Sequence, residues 1–294
     1  MRLCTDFNDN WLFQGRDTVR LPHNAVDLPF SYFDEKAYQR RFTYQKTFAA
    51  DPAWVGPAVL LRFDAAMANA RVLLNGVELI THADGYTPFE ARLTGQVLAG
   101  DNTVTVEIDG SENPEIPPFG GVIDYLTYAG LYREVWLIVK APVSIGLHKI
   151  ETPYVLAAQK SVTVDVALDN PQGLPLSGSL TATLRDAAGQ DVASTRATVT
   201  GDGLRIELAG LTGIALWDIQ NPALYHLHLD LETPHGRDAT ATRFGFRHVA
   251  FTAEGFALNG KPLKLRGLNR HQSFPYVGYA LGRAAQERDA DILK

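Results

Sequence analysis

Apolar residues in this chain recur at every second position, and glycine, proline or aspartate breaks each run before it outgrows a strand. Val104, Val106 and Ile108 alternate with Thr105 and Glu107. Val162, Val164, Val166 and Leu168 alternate with Thr163, Asp165, Ala167 and Asp169. Leu180, Ala182 and Leu184 repeat the pattern, as do Tyr225, Leu227, Leu229 and Leu231 opposite His226, His228, Asp230 and Glu232. Successive side chains on a strand point to opposite faces, so a period of two places one face in a core and the other in water. The Asn75-Gly76 pair stands between Val72-Leu73-Leu74 and Val77-Glu78-Leu79-Ile80. Asn-Gly between apolar runs marks a tight hairpin, because both turn residues need positive φ. A chain built this way must be mostly β.

The pattern divides into three parts. Residues 1–141 predict a jelly-roll-like β-sandwich, punctuated by proline and free of long helical periodicity. Residues 142–250 predict a smaller immunoglobulin-like sandwich of short strands. With only Cys4 in the chain, no internal disulfide can join its sheets, so packing must do so. Residues 251–294 read differently. Leu258-Asn259-Gly260-Lys261-Pro262-Leu263 predicts another hairpin, Leu263–Leu268 a strand, Asn269 to about Gly282 a polar loop, and Ala284–Lys294 an amphipathic helix. Strand, loop and helix make the first unit of a (β/α) repeat, with no second unit after it.

At 294 residues and 46% hydrophobic side chains the chain can bury sizeable cores. Its net charge of -6 leaves no basic surplus for phosphates, which argues against nucleic acid and anionic membranes as partners. No run approaches the roughly 20 apolar residues of a membrane span. The opening Met1-Arg2-Leu3-Cys4-Thr5-Asp6 lacks a signal-peptide core, so the expected location is cytoplasmic. No phosphate loop, CxxC pair or Ser-His-Asp order is present, and no cofactor or metal is expected.

Four segments carry a family likeness. They are Leu21-Pro22-His23-Asn24; the run Asp124 to Val135 ending in Gly130-Leu131-Tyr132-Arg133; Trp217 to Tyr225 with Asn221-Pro222 inside; and Phe244-Gly245-Phe246-Arg247 followed by Leu258-Asn259-Gly260-Lys261-Pro262 and Arg266-Gly267-Leu268-Asn269-Arg270-His271. In this order and spacing the chain resembles family 2 glycoside hydrolases, with Asn24 where the family usually has Asp. The resemblance implies the amino-terminal part of a retaining β-glycosidase, ending just after its TIM barrel begins. Such enzymes use one carboxylate as acid/base and another as nucleophile. The resemblance places both on later barrel strands, so Glu254 and Glu287 are not expected to be catalytic and the chain alone is expected to be inactive.

The resemblance makes Asp124, Asn269, Arg270 and His271 candidate sugar-binding residues. TIM-barrel sites lie at the carboxyl ends of strands, where 269–271 would stand. Arg, Asn and His offer donors and acceptors to a ring of hydroxyls, and a carboxylate can accept from two of them. The resemblance gives His271 contact with sugar hydroxyls and the transition state. The plainer alternatives are a loop that caps the helix for 269–271, and a turn aspartate after Pro117-Pro118-Phe119-Gly120-Gly121 for Asp124. For Arg133 a structural contact is the better reading. His226 and His228 read as a solvated face, lacking a third ligand at metal spacing. Trp136 and Trp217 read as packing.

The expected substrate is a terminal β-galactoside. The Asp124–Arg133 run also resembles β-glucuronidases, and a stand-alone carbohydrate-binding module is the alternative from another class. The expected partners are carbohydrate and, where a strand edge stays open, a second copy of the chain as a homo-oligomer. The segment after about Phe251 is expected to be the weak part of the fragment.

Overall fold

Alternation becomes paired strands wherever a neighbour can satisfy the backbone. The structure, a computed structural model, describes residues 2–27, 34–54, 57–121 and 123–294. They divide into two compact units: Leu3–Val139 together with Arg270–Lys294, and Lys140–Asn269 together with Arg2.

In the first unit, the strands are β1 (Leu3–Asp6), β2 (Trp11–Phe13), β3 (Asp17–Val19), β4 (Arg41–Ala50), β5 (Ala58–Phe63), β6 (Asn69–Leu74), β7 (Val77–Ala83), β8 (Phe89–Arg92), β9 (Gly100–Asp109) and β10 (Val135–Lys140). Among the described residues they form a sheet ordered β3-β2-β4-β9-β6-β7 and a second ordered β1-β10-β5-β8. Tyr44, Val72, Val104, Val106 and Ile108 from one sheet share a core cluster with Leu61, Phe63, Ala91 and Val135 from the other. The two sheets therefore make a sandwich, and the alternation in β9 sets which residues fill it. The predicted hairpin joins β6 to β7, with φ of 51° at Asn75 and 83° at Gly76, and Leu74 pairs with Val77 across the turn.

Two family segments prove to be one piece of structure. His23 N–H donates to Leu131 O at 2.8 Å and Ala25 N–H to Ala129 O at 2.8 Å, so Leu21–Asn24 runs beside the Gly130 signature. Gly130 has φ of 137°, and a Cβ there would lie 2.6 Å from His23 O. Only glycine lets the two backbones approach so closely. Asn24 Nδ2 donates to Val26 O at 2.7 Å, a bond that the family's usual aspartate cannot make when ionised.

The second unit holds β11 (Ser144–Glu151), β12 (Lys160–Asp169), β13 (Gly178–Arg185), β14 (Asp191–Val199), β15 (Gly203–Leu211), β16 (Tyr225–Thr233) and β17 (Gly236–Phe244). The sheets are β11-β12-β15 and β14-β13-β16-β17. Val162, Val164 and Ile206 meet Leu180, Leu184, Leu227 and Leu229 in one core. With Cys4 the one cysteine of the chain, no disulfide joins these sheets; packing does, together with hydrogen bonds from β11 to β17 such as His148 Nε2 with Thr242 Oγ1 at 2.6 Å. Arg2 reaches the fully buried Asp238, which also accepts Ile145 N–H at 2.8 Å. The other two family segments again meet. Trp217 N–H donates to Phe246 O at 2.8 Å, Asn259 Nδ2 donates to Trp217 O at 2.9 Å, and a Cβ on Gly245 would come within 2.9 Å of Trp217 Cβ.

The end of the chain departs from the sequence reading. The hairpin forms from β18 (Val249–Thr252), β19 (Gly255–Leu258) and β20 (Lys261–Pro262), with positive φ at Asn259 and Gly260. The helix α1 (Arg283–Leu293) also forms. The expected strand Leu263–Leu268 does not: it has no ladder, and Leu265 and Leu268 are exposed. A strand exists by pairing, and beyond Leu263, whose N–H donates to Phe256 O at 2.8 Å, this segment makes no backbone hydrogen bond among the described residues. Residues 251–294 are divided at Asn269/Arg270 between the two units. Arg270–Lys294 is not a loose tail: Tyr279 is buried in the core cluster of the first unit.

Candidate functional site

Asp124 sits in the irregular connection between β9 and β10, exposed to solvent. The next residue, Tyr125, is half-buried against the first core. Its ring meets His271 edge to face, with centroids 6.1 Å apart and planes at 66°. The fold thus brings the loop that carries Asp124 to the loop that carries His271, and both side chains face solvent beside an aromatic wall.

The His271 loop is held from below. Arg133 Nη1 donates to Tyr279 O at 2.7 Å and Arg133 Nη2 to Gln272 Oε1 at 2.9 Å. The same guanidinium lies over the Tyr132 ring at 4.7 Å. Arg133 is therefore a structural clamp, as its place in the signature suggested. Its planar fork can bridge two points of one loop, which a lysine's point charge cannot. Tyr279 packs edge to face on Tyr128 at 5.1 Å and tilted on Tyr132 at 5.7 Å. The loop closes on itself through Phe274 and Gly278, which exchange backbone hydrogen bonds.

Around this clamp stands a group of phenols. Burial raises the pKa of Tyr86, Tyr128 and Tyr132, and pushes that of Tyr279 up to about 12. All four stay protonated at neutral pH. Tyr128, Tyr132 and Tyr279 are buried, and Tyr132 already donates to Gly85 O at 2.6 Å, so of the four only Tyr86 is exposed to a ligand. The sequence reading missed Tyr86 and Tyr279. The signal was there in the tyrosines crowded between 125 and 132 and again at 276 and 279, but their meeting point is tertiary.

The other candidates fall elsewhere. Arg270 forms an ion pair with Asp289 of α1, so its guanidinium is already engaged. Asn269 is exposed and belongs to the second unit. Glu254 sits in the β18–β19 turn, its N–H bonded to Thr252 Oγ1. Glu287 pairs with Arg283 at 2.7 Å. His226 and His228 lie on the outer face of β16, 6.5 Å apart, and no group of three potential metal ligands occurs among the described residues. Trp136 donates to Asp64 Oδ2 at 2.8 Å. Trp217 helps line an apolar hollow of about 670 Å³ in the second unit with Ile219, Phe256 and Leu263. Its polar lining is Arg247, Lys264 and Arg266, with no carboxylate to receive sugar hydroxyls.

Comparison with known proteins bears on the family and the fold. Residues 8–142 match the glycosyl hydrolases family 2 sugar binding domain, and residues 146–247 match a further glycosyl hydrolases family 2 domain. The whole chain aligns with 40% of a β-galactosidase of Rhizobium meliloti at 48% identity. It aligns with 44% of a β-galactosidase of Thermoanaerobacterium thermosulfurigenes at 38% identity. Among solved structures, Bacteroides uniformis β-glucuronidase 2, covalently bound to cyclophellitol-6-carboxylate aziridine, superposes with a TM-score of 0.86 at 25% identity, over 100% of this chain and 38% of that one. The chain thus spans about two fifths of the length of the relatives it matches.

Proposed function

The chain belongs to family 2 of the glycosyl hydrolases, and we propose that it is the amino-terminal, non-catalytic portion of a retaining β-glycosidase acting on terminal β-galactosides. One observation carries the reading: Asp124 and His271, far apart in sequence, stand on two loops joined through Tyr125. In this reading the two sandwiches are the jelly-roll-like sugar-binding domain and the immunoglobulin-like domain of the enzyme. Residues 251–294 begin its barrel, and Leu263–Leu268 gains its ladder when the neighbouring barrel strands pair with it. The Asp124 carboxylate accepts two sugar hydroxyls, and His271 holds another and stabilises the transition state. Asn269 adds a donor at the rim. Both catalytic carboxylates come from later barrel strands, so the 294 residues alone do not turn over substrate.

The galactoside preference rests on the two β-galactosidases at 48% and 38% identity. The structural likeness to a β-glucuronidase supports a glucuronide as the second reading. No helix among the described residues is long and apolar enough to cross a membrane, and a single, exposed cysteine, Cys4, fits a reducing cytoplasm.

The test is kinetic. The 294-residue chain and a longer protein carrying it through the barrel are each given nitrophenyl β-galactoside and nitrophenyl β-glucuronide. The longer protein should cleave the galactoside in preference, and the short chain neither. Turnover that co-purifies with the short chain and disappears in Asp124→Ala would overturn the non-catalytic reading. A preference for glucuronide would overturn the substrate.

A further inference from the structure

His271 stands on a stretch of chain that the backbone does not hold. From Arg270 to Ser273 no backbone N–H or carbonyl enters a backbone hydrogen bond among the described residues. Its placement therefore falls to its own contact with Tyr125 and to the side chains on either side of it. Before it, Arg270 Nε donates to Asp289 Oδ2 of α1 at 3.1 Å. These two side chains are 33% and 35% exposed, and ion pairs so placed hold weakly, because water screens them and long side chains lose entropy in forming them. After it, Gln272 Oε1 accepts from Arg133 Nη2 at 2.9 Å. That guanidinium is already fixed: its Nη1 donates to Tyr132 O at 3.0 Å and to Tyr279 O at 2.7 Å, and it lies over the Tyr132 ring. An arginine held at three other points gives up little further entropy in meeting a fourth. Of the two ties beside His271, the one through Gln272 is the firmer.

The two neighbours leave the backbone toward different partners. Gln272 is half-buried against Arg133, while His271 is exposed, its ring edge to face with Tyr125. Holding the first fixes the backbone from which the second departs. We infer that Gln272 is a positioning residue of the sugar site: its amide oxygen, taken by Arg133, sets the angle at which His271 meets Tyr125 beside the Asp124 loop. The inference rests on the reading of Asp124 and His271 as sugar contacts. Two of the three oxygens that Arg133 binds, Tyr132 O and Tyr279 O, are backbone carbonyls, which any residue supplies. The third is the side chain of Gln272, so this contact depends on which residue follows His271. A side chain that only filled space here would need its length and not its oxygen. A positioning residue needs the oxygen, because an apolar replacement leaves Arg133 nothing to hold beside His271. Small displacements of this kind are costly where a side chain must meet a reacting group in a narrow range of geometry.

Gln272→Met keeps the length and removes the acceptor, and Gln272→Glu keeps the acceptor. In the 294-residue chain the His271 ring signals are followed by NMR and assigned by their loss in His271→Ala. Gln272→Met should remove the ring-current displacement that Tyr125 imposes and move them to the values seen in Tyr125→Leu. Gln272→Glu should keep the displacement. In the longer enzyme Gln272→Met should lower kcat/KM for nitrophenyl β-galactoside about threefold to thirtyfold, part of what one hydrogen bond to a charged group carries. The fall should lie in kcat with KM nearly unchanged, since Gln272 Oε1 is bonded to Arg133 and not to the ligand. Gln272→Glu should keep most of kcat. His271→Ala, measured alongside, separates the two levels. Wild-type kinetics in His271→Ala would remove the site reading itself. An impaired His271→Ala beside a Gln272→Met with unmoved His271 signals and full kcat would overturn the positioning role alone, as would equal losses of kcat in Gln272→Met and Gln272→Glu. If Gln272→Met fails to fold, Arg133→Lys keeps the charge without the planar fork and is read by the same His271 signals and the same kcat.

Discussion

His23 stands partly enclosed beside Tyr44, its Nδ1 2.9 Å from the phenol oxygen. Burial lowers the His23 pKa, against the upward pull of Asp27 and Asp17, and burial holds Tyr44 protonated. In the tautomer with Nδ1 unprotonated, the neutral imidazole accepts from the phenol. A proton on Nδ1 would replace that acceptor with a second donor. The unfolded chain takes up this proton near pH 6.5, and the folded chain only at lower pH. The stability His23 contributes is thus complete above about pH 6.5 and is lost as pH falls toward its folded pKa. Urea midpoints at pH 7.5 and pH 5.0 should fall further for the wild type than for His23→Gln, and equal falls would show that His23 is not the group. At the site, a hydrogen bond to a charged group is worth about 1.5–3 kcal/mol. Asp124→Ala in the longer enzyme should therefore lower kcat/KM about tenfold to a hundredfold or more, without shifting its melting temperature. Wild-type kinetics would remove Asp124 from the site. At this scale the sequence displayed Asp124 and His271 because each stands in a recognisable run. It concealed Tyr279, whose ring partners Tyr128 and Tyr132 lie about 150 residues away in the chain, where no local pattern reaches. It also concealed the pairing of Arg270 with Asp289, which depends on how the helix returns over the loop.

Elements were legible where the backbone itself makes a demand. The turns at Asn75-Gly76 and Asn259-Gly260 require positive φ at both residues, and both have it. The alternating runs became β9, β12, β13 and β16 because each has partners on both sides. Leu263–Leu268 has the composition of a strand but only one backbone hydrogen bond, from Leu263 N–H to Phe256 O, among the described residues, and composition alone does not make a ladder. The same distinction gives a test with two glycines. At Gly76 a Cβ would meet open space, so Gly76→Ala costs only the strain of φ at 83°, about 1 kcal/mol. At Gly130 a Cβ would press on His23 O at 2.6 Å and Ala25 N at 2.9 Å, where two strands of backbone meet. Gly130→Ala should therefore cost clearly more in urea unfolding than Gly76→Ala. Equal losses would mean that the two family segments do not run side by side as described.

Across the whole molecule, the chain leaves the first unit at Val139, builds the second, and rejoins the first at Arg270. The sequence suggested that everything after about Phe251 would be weak. The structure makes the weakness local. From Lys264 to Ser273 no backbone N–H donates to a backbone carbonyl among the described residues, and Leu265 and Leu268 are 62% and 77% exposed. Beyond it, Gly278 and Ala280 donate to Phe274 O and Val277 O, Tyr279 is buried, and Arg133 grips the loop at two points. Local opening follows such differences in burial and hydrogen bonding. In a dilute sample of the 294-residue chain, trypsin should cut first after Lys264 and Arg266. Hydrogen exchange should be near the unstructured rate for 264–270 and slowed for 278–282. Arg133→Ala should abolish that contrast by freeing the loop, while β4 and β9, whose ladder does not involve Arg133, keep their protection. If 278–282 exchanges as fast as 264–270 in the wild type, the clamp does not hold in solution, and with it goes the fixed placement of His271 on which the sugar site depends.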